Sequence, residues 1–192
     1  SMYNIKVIGR ASHAGLEPEK GINASTEIAH IVTALHLLEN REHGTTVVPT
    51  TMQSGTTTNT VPAVATLDID SRSFLMSEME RVETALHAIT PLHPDARIEV
   101  TGGINRPPLE RSSTAELYSI LERVAQENGI TELGSASVGG ASDGNFAAAA
   151  GARVLDGLGA VGDGAHASHE YILSSSIPGR ISLLASFIKE LM

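Results

Sequence analysis

Along the first hundred residues the spacing of apolar positions switches between two periods. From Tyr3 to Gly9 polar and apolar residues alternate over a β-prone stretch, which predicts a half-buried strand. From Asn23 to Leu38 apolar residues (Ile28, Ile31, Val32, Leu35, Leu38) return at helical spacing and predict an amphipathic helix. His30 and His36 ride on it as surface positions, since nothing beside them has ligand spacing. Thr45 to Gln53 is β-branched and strand-like, and Ser54 to Asn59 is a polar Gly/Thr loop. Val61 to Phe74 alternates again, so the pleat would aim Asp68, Asp70 and Arg72 at one face and Ala65, Leu67 and Ile69 at the other. Ser77 is expected to cap a second helix running to about Ile89, with Glu80 at the capping-box position. Arg97 to Thr101 closes the series as a strand. The order β-α-β-β-α-β is that of a split βαβ, ferredoxin-like sandwich over residues 3–104.

Gly102-Gly103 and Arg106-Pro107-Pro108 mark a boundary, and residues 105–192 read differently. A helix is predicted over Thr114–Asn128, closed by Gly129, and another over Ser176–Leu191 with Pro178 in its first turn. Between them lies a glycine-rich stretch, Gly139 to Tyr171, carrying Asp143, Asp156, Asp163, His166 and His169, with one buried strand expected at Ala152–Leu155. So much glycine mixed with apolar Phe146, Val154, Leu155 and Leu158 reads as ordered backbone that turns tightly around something, not as a flexible linker. One or two strands and two helices cannot cover both faces of a sheet, so this region is expected to be an incomplete α/β domain. Ser1-Met2 directly ahead of a strand reads as a cloning junction, so a piece of a longer protein is expected.

Composition narrows the function classes. A formal charge of −9 without a basic cluster, and few aromatic residues, sets nucleic acid and anionic membranes aside as partners. With no cysteine, disulfides, thiolate metal sites and a cysteine nucleophile are excluded. No apolar run has the length of a membrane span and no signal peptide is recognisable, so the expected location is cytoplasmic.

Four short patterns carry candidate chemistry: His13 in GRASHAG, Asn59 in SGTTTNTVP, Arg72 in DIDSR and His166 in GDGAHASHEY. With GGASDGN they resemble, in the right order, the M20 family of zinc-dependent amidohydrolases, nearest to its glutamate carboxypeptidase branch. The resemblance implies an α+β chain in which residues 3–104 are a lid and dimerisation domain, and residues 105–192 the C-terminal part of an α/β zinc-peptidase domain. It implies that His13 reaches across a homodimer to steady the oxyanion of the scissile carbonyl, a role suited to an N–H-presenting imidazole. It implies that Arg72 binds the free carboxylate of a small-molecule or peptide substrate through its planar fork. It further implies that Asn59 helps hold the substrate or its oxyanion, that Gly140 and Ser142 touch the substrate carboxylate, and that His166 is one ligand of a site holding two zinc ions. Read without the resemblance, Asn59 is a turn former, Arg72 a partner for Asp70 on the same strand face, and His169 an exposed neighbour of His166.

The remaining machinery of that family is missing here: there is no Glu-Glu pair, and His93-Pro94-Asp95 falls in a predicted turn. The function expected is part of an M20 amidohydrolase or carboxypeptidase that cleaves an amide next to a glutamate-like residue, inactive as this chain alone. The alternatives are an M20 deacylase of the N-acyl amino acid or desuccinylase type, or a non-catalytic dimerisation or small-molecule-binding module.

Overall fold

The first alternating stretch folds as strand β1 (Met2–Ile8), with Tyr3, Ile5 and Val7 buried and the residues between them facing away. This is a computed structural model that describes residues 1–130 and 133–192. Helix α1 (Ala24–Leu35), strands β2 (Thr46–Ser54) and β3 (Val64–Arg72), helix α2 (Met76–His87) and strand β4 (Arg97–Gly103) follow in the predicted order. They form one antiparallel sheet in the order β2-β3-β1-β4. Both helices contribute to one core: Ala24, Ile28, Ile31 and Leu35 of α1 and Val82 and Leu86 of α2 cluster with Ile5, Val7, Leu67 and Ile69. Burying each such aliphatic side chain contributes about 1.5–3 kcal/mol, which is why the alternation is decisive. A one-residue slip would turn the whole set outward.

The opposite face of the sheet is polar and open. Asn4 Nδ2 donates to Asp68 Oδ1 at 2.7 Å, and Thr51 donates to the other oxygen of the same carboxylate. Both bonds hold the Asp68 carboxyl below its usual range. Strand β2 is an edge, paired only with β3, and Val47 is its one buried residue.

Asn23 caps α1, its side-chain oxygen accepting from the backbone N–H groups of Ser25 and Thr26. The expectation that Ser77 caps α2 fails. The helix starts at Met76, placing Ser77 and Glu80 within it, and Ser73 Oγ instead accepts the Leu75 N–H at 3.3 Å. Glu78, which the cap pattern leaves unused, takes both forks of Arg81 and the hydroxyl of buried Thr45, each at 2.8 Å. Those donors hold its carboxyl down at about 2.

A second unit comprises Leu109–Met192. Helix α3 (Arg111–Glu127) and the long C-terminal helix (Ile177–Leu191) share a small core of Leu121, Val124 and Ala125 with Leu183 and Phe187. Gly129, with φ +79°, follows the end of α3 as predicted. The strand expected at Ala152–Leu155 is absent. A strand needs a neighbour to take its hydrogen-bond ladder, and here the Val154 N–H goes to the Ser113 carbonyl. The glycine-rich stretch instead holds a short helix α4 (Gly144–Ala149) and a two-stranded hairpin, β5 (Gly162–Asp163) with β6 (Tyr171–Ile172). The C-terminal helix is therefore α5. Among the described residues no helix is long and apolar enough to cross a membrane.

Candidate functional site

The candidate residues of the first unit occupy the two ends of β3. At its start, the loop bearing His13 lies against the loop bearing Asn59. The Ala14 N–H bonds the Asn59 carbonyl at 2.9 Å, the Val61 N–H bonds the Ser12 carbonyl at 2.9 Å, and His13 forms a bridge with Thr60. The imidazole is exposed, and its Nδ1 accepts two backbone N–H groups, from Gly15 and Leu16, each at 3.1 Å. A nitrogen that accepts carries no proton, so the ring is held in the tautomer that presents Nε2–H outward. That is the donor a developing oxyanion requires. Beside this pair an open hollow of about 360 Å³ is lined by Ala11, Ser54, Thr56, Thr60 and Thr66 among others.

Arg72 sits at the far end of β3. Eight residue steps at ~3.3 Å each put it roughly 26 Å along the strand from Val64, so one copy's Arg72 and His13 do not meet. The Arg72 guanidinium is engaged by Asp70, with Nε to Oδ1 at 2.8 Å and Nη2 to Oδ2 at 3.1 Å. Hydrogen bonding to the guanidinium holds the Asp70 carboxyl below its ordinary value and raises Arg72 in turn. The Arg72 side chain remains 55% exposed.

In the second unit, Ser142 organises the loop before α4. Its N–H donates to Asn145 Oδ1 at 3.0 Å and its Oγ accepts the Gly144 N–H at 3.1 Å. A hydrogen bond from Ser142 is also the main reason the Asp156 carboxyl lies below its usual range. Gly140 is exposed with open space where a Cβ would stand, so nothing in its packing demands glycine. His166 is exposed on the β5–β6 connection and is the one described non-glycine residue with positive φ, at 66°. Its N–H reaches Glu170 Oε2 at 3.3 Å. Such a conformation costs free energy of order 1 kcal/mol or more and persists where the surroundings impose it. Among the described residues, no group of three or more His, Asp or Glu could hold a metal ion. These residues alone therefore do not fit a zinc centre, and His166 offers at most a single ligand.

Two features escape the linear pattern. Glu27, buried on α1, accepts the N–H groups of Leu92 and His93 at 2.8 Å each, which fixes the His93-Pro94-Asp95 turn and accounts for that sequence structurally. The two backbone donors that set the His13 tautomer are equally invisible without the loop's path.

Residues 1–93 match the family model of the M20 peptidase dimerisation domain. This part of the chain is an M20 peptidase dimerisation domain. The M20 match extends in sequence beyond that domain: over 191 residues the chain is 29% identical to carboxypeptidase G2 of Pseudomonas sp. (strain RS-16), covering 97% of this chain and 46% of that protein. A stretch of 71 residues is 40% identical to one of the polypeptides of p-aminobenzoyl-glutamate hydrolase from Escherichia coli (strain K12), covering 36% of this chain and 16% of that protein. In fold, the chain superposes on aminopeptidase PepT from Bacillus cereus with a TM-score of 0.73 at 23% identity, over 98% of this chain and 51% of that one. The chain thus spans about half the length of the M20 relatives it matches.

Proposed function

We propose that this chain supplies the lid and part of the metal-bearing domain of an M20 amidohydrolase that cleaves the amide of an acyl- or aroyl-glutamate. The glutamate class rests on the two curated relatives, whose names are carboxypeptidase G2 and p-aminobenzoyl-glutamate hydrolase. The observation that carries the chemistry is the His13 ring, preset as an Nε2–H donor by two backbone amides. A donor fixed before the reaction costs no reorganisation when charge develops on the carbonyl oxygen. Arg72 takes the free carboxylate of the glutamate, and Asn59, next to His13, holds the acyl side.

The length of β3 separates these roles, and that supports a homodimer in which each site draws Arg72 from one copy and His13 with Asn59 from its partner. The open edge β2, with Val48 and Met52 exposed, is the surface on which a second copy would pair. Gly140 and Ser142 border the substrate. The zinc ions of this family would take His166 as one ligand and the others from sequence outside this chain, so the chain alone is inactive.

The test is an assay of the complete enzyme on N-acyl-glutamate and on the matching neutral diamide. Arg72→Ala should raise KM for the glutamate substrate at least 10-fold, the size of a lost charged hydrogen-bonded pair, and leave turnover of the diamide unchanged. Equal effects on both substrates would remove Arg72 from the carboxylate site.

A further inference from the structure

A receptor for a carboxylate is here already occupied by one. Asp70 and Arg72 lie two residues apart on the open face of β3, and the pair is bidentate, at 2.8 and 3.1 Å. This is the geometry a ligand carboxylate would adopt on a guanidinium fork. We propose that Asp70 is a specificity-determining residue, an internal rival that a substrate carboxylate must displace from Arg72. The inference rests on Arg72 being the carboxylate receptor and goes further, by assigning a role to its neighbour.

Two observations support it. Opposite Asp70 in the sheet stand Met2 on β1 and Val48 on β2, both apolar, so neither cross-strand neighbour offers a charge for this carboxylate. The Asp70 side chain is 28% exposed and that of Arg72 55%, so an incoming ligand can reach the pair and Asp70 can swing out into water.

The energetic consequence is selective. A ligand carboxylate that replaces Asp70 trades one bidentate pair for a chemically equal one, and the tethered rival acts at an effective concentration on the order of millimolar or above. Simple anions gain little from that exchange. A substrate held by further contacts at its amide and acyl ends gains from those and keeps the pair. Asp70 thus sets a threshold that a lone carboxylate does not cross and an anchored one does.

The experiment titrates glutarate, with glutaramide as the neutral control, into the ¹⁵N-labelled 192-residue chain. It follows the Arg72 Nε–H signal and the backbone amides of Ser71 and Ser73. Asp70→Asn keeps shape and removes the charge, and the same spectra report whether the variant is folded. The half-saturating glutarate concentration should fall about 3- to 5-fold in Asp70→Asn, the size of an exposed ion pair, and glutaramide should move nothing in either protein. Equal or weaker glutarate binding by Asp70→Asn, with the Arg72 signal still responding, would overturn the rival role and leave Arg72 as receptor. A response in Asp70→Asn that persists at Ser71 and Ser73 after Arg72→Gln is added, or no response in any of the proteins, would remove Arg72 as receptor and the inference with it.

Discussion

The two units of this chain solve the burial problem differently. In the first, strands alternate and two helices cover one face of the sheet, so Ile5, Val7, Leu67 and Leu86 are excluded from water. In the second, two helices share a core of five buried residues, the sheet among the described residues is a hairpin of two two-residue strands, and α5 keeps Ile181 and Ile188 exposed at 62% and 55%. A closed layer positions its polar groups precisely, and the preset His13 ring and the Asp70–Arg72 pair lie on that scaffold. The glycine-rich segment of the second unit has less to define it. Candidate residues there depend on backbone, as the positive φ of His166 illustrates.

Substitutions that probe this contrast should fall in a clear order. Leu67→Ala removes a fully buried side chain under two helices and should cost about 3 kcal/mol in urea unfolding followed by circular dichroism. Glu78→Ala removes the carboxylate that Thr45 and Arg81 share, leaving them only the Ser73 hydroxyl and the Leu38 carbonyl, and should cost about 2 kcal/mol in the same measurement. Because the Glu78 carboxyl is depressed to about 2, its contribution is present in full above the ordinary carboxylate range and is lost as pH falls towards that value. Glu78→Gln should accordingly flatten the acid side of the stability profile. Asn23→Ala deletes the α1 cap and should cost about 1 kcal/mol, with faster amide exchange at Ser25 and Thr26. Ile181→Ser, on the uncovered flank of α5, should change stability by less than about 0.5 kcal/mol. A cost at Ile181 comparable to that at Leu67 would erase the distinction between the units.

Much of the first unit is legible in the residues themselves because its signals are local. The alternation through Ala65, Leu67 and Ile69 predicts the buried face of β3, and the same register aligns Asp70 with Arg72. Failures come where a partner is remote or the path is irregular. Ser77 looks like a cap, yet the chain turns earlier, at Ser73. Glu27 is used by Leu92 and His93, more than sixty positions away, which no window along the chain contains. Ala152–Leu155 has the residues of a strand and no neighbouring strand among those described, so composition alone misleads. The loop motif suggests a role for His13, whereas its tautomer follows only from where the Gly15 and Leu16 amides point.

The central claim is that one catalytic site takes Arg72 from one copy and His13 from its partner. It is tested most directly by mixing two variants of the complete enzyme, His13→Ala and Arg72→Ala, allowing the copies to exchange, and assaying the glutamate substrate far below its KM, where each variant alone has lost at least 10-fold in rate. Half of the dimers would then be mixed, each with one intact site of two, so activity should return to about one quarter of the native value. A mixture as inactive as its components, with exchange verified by mass, would mean that a single copy supplies both residues to its own site and would contradict the account.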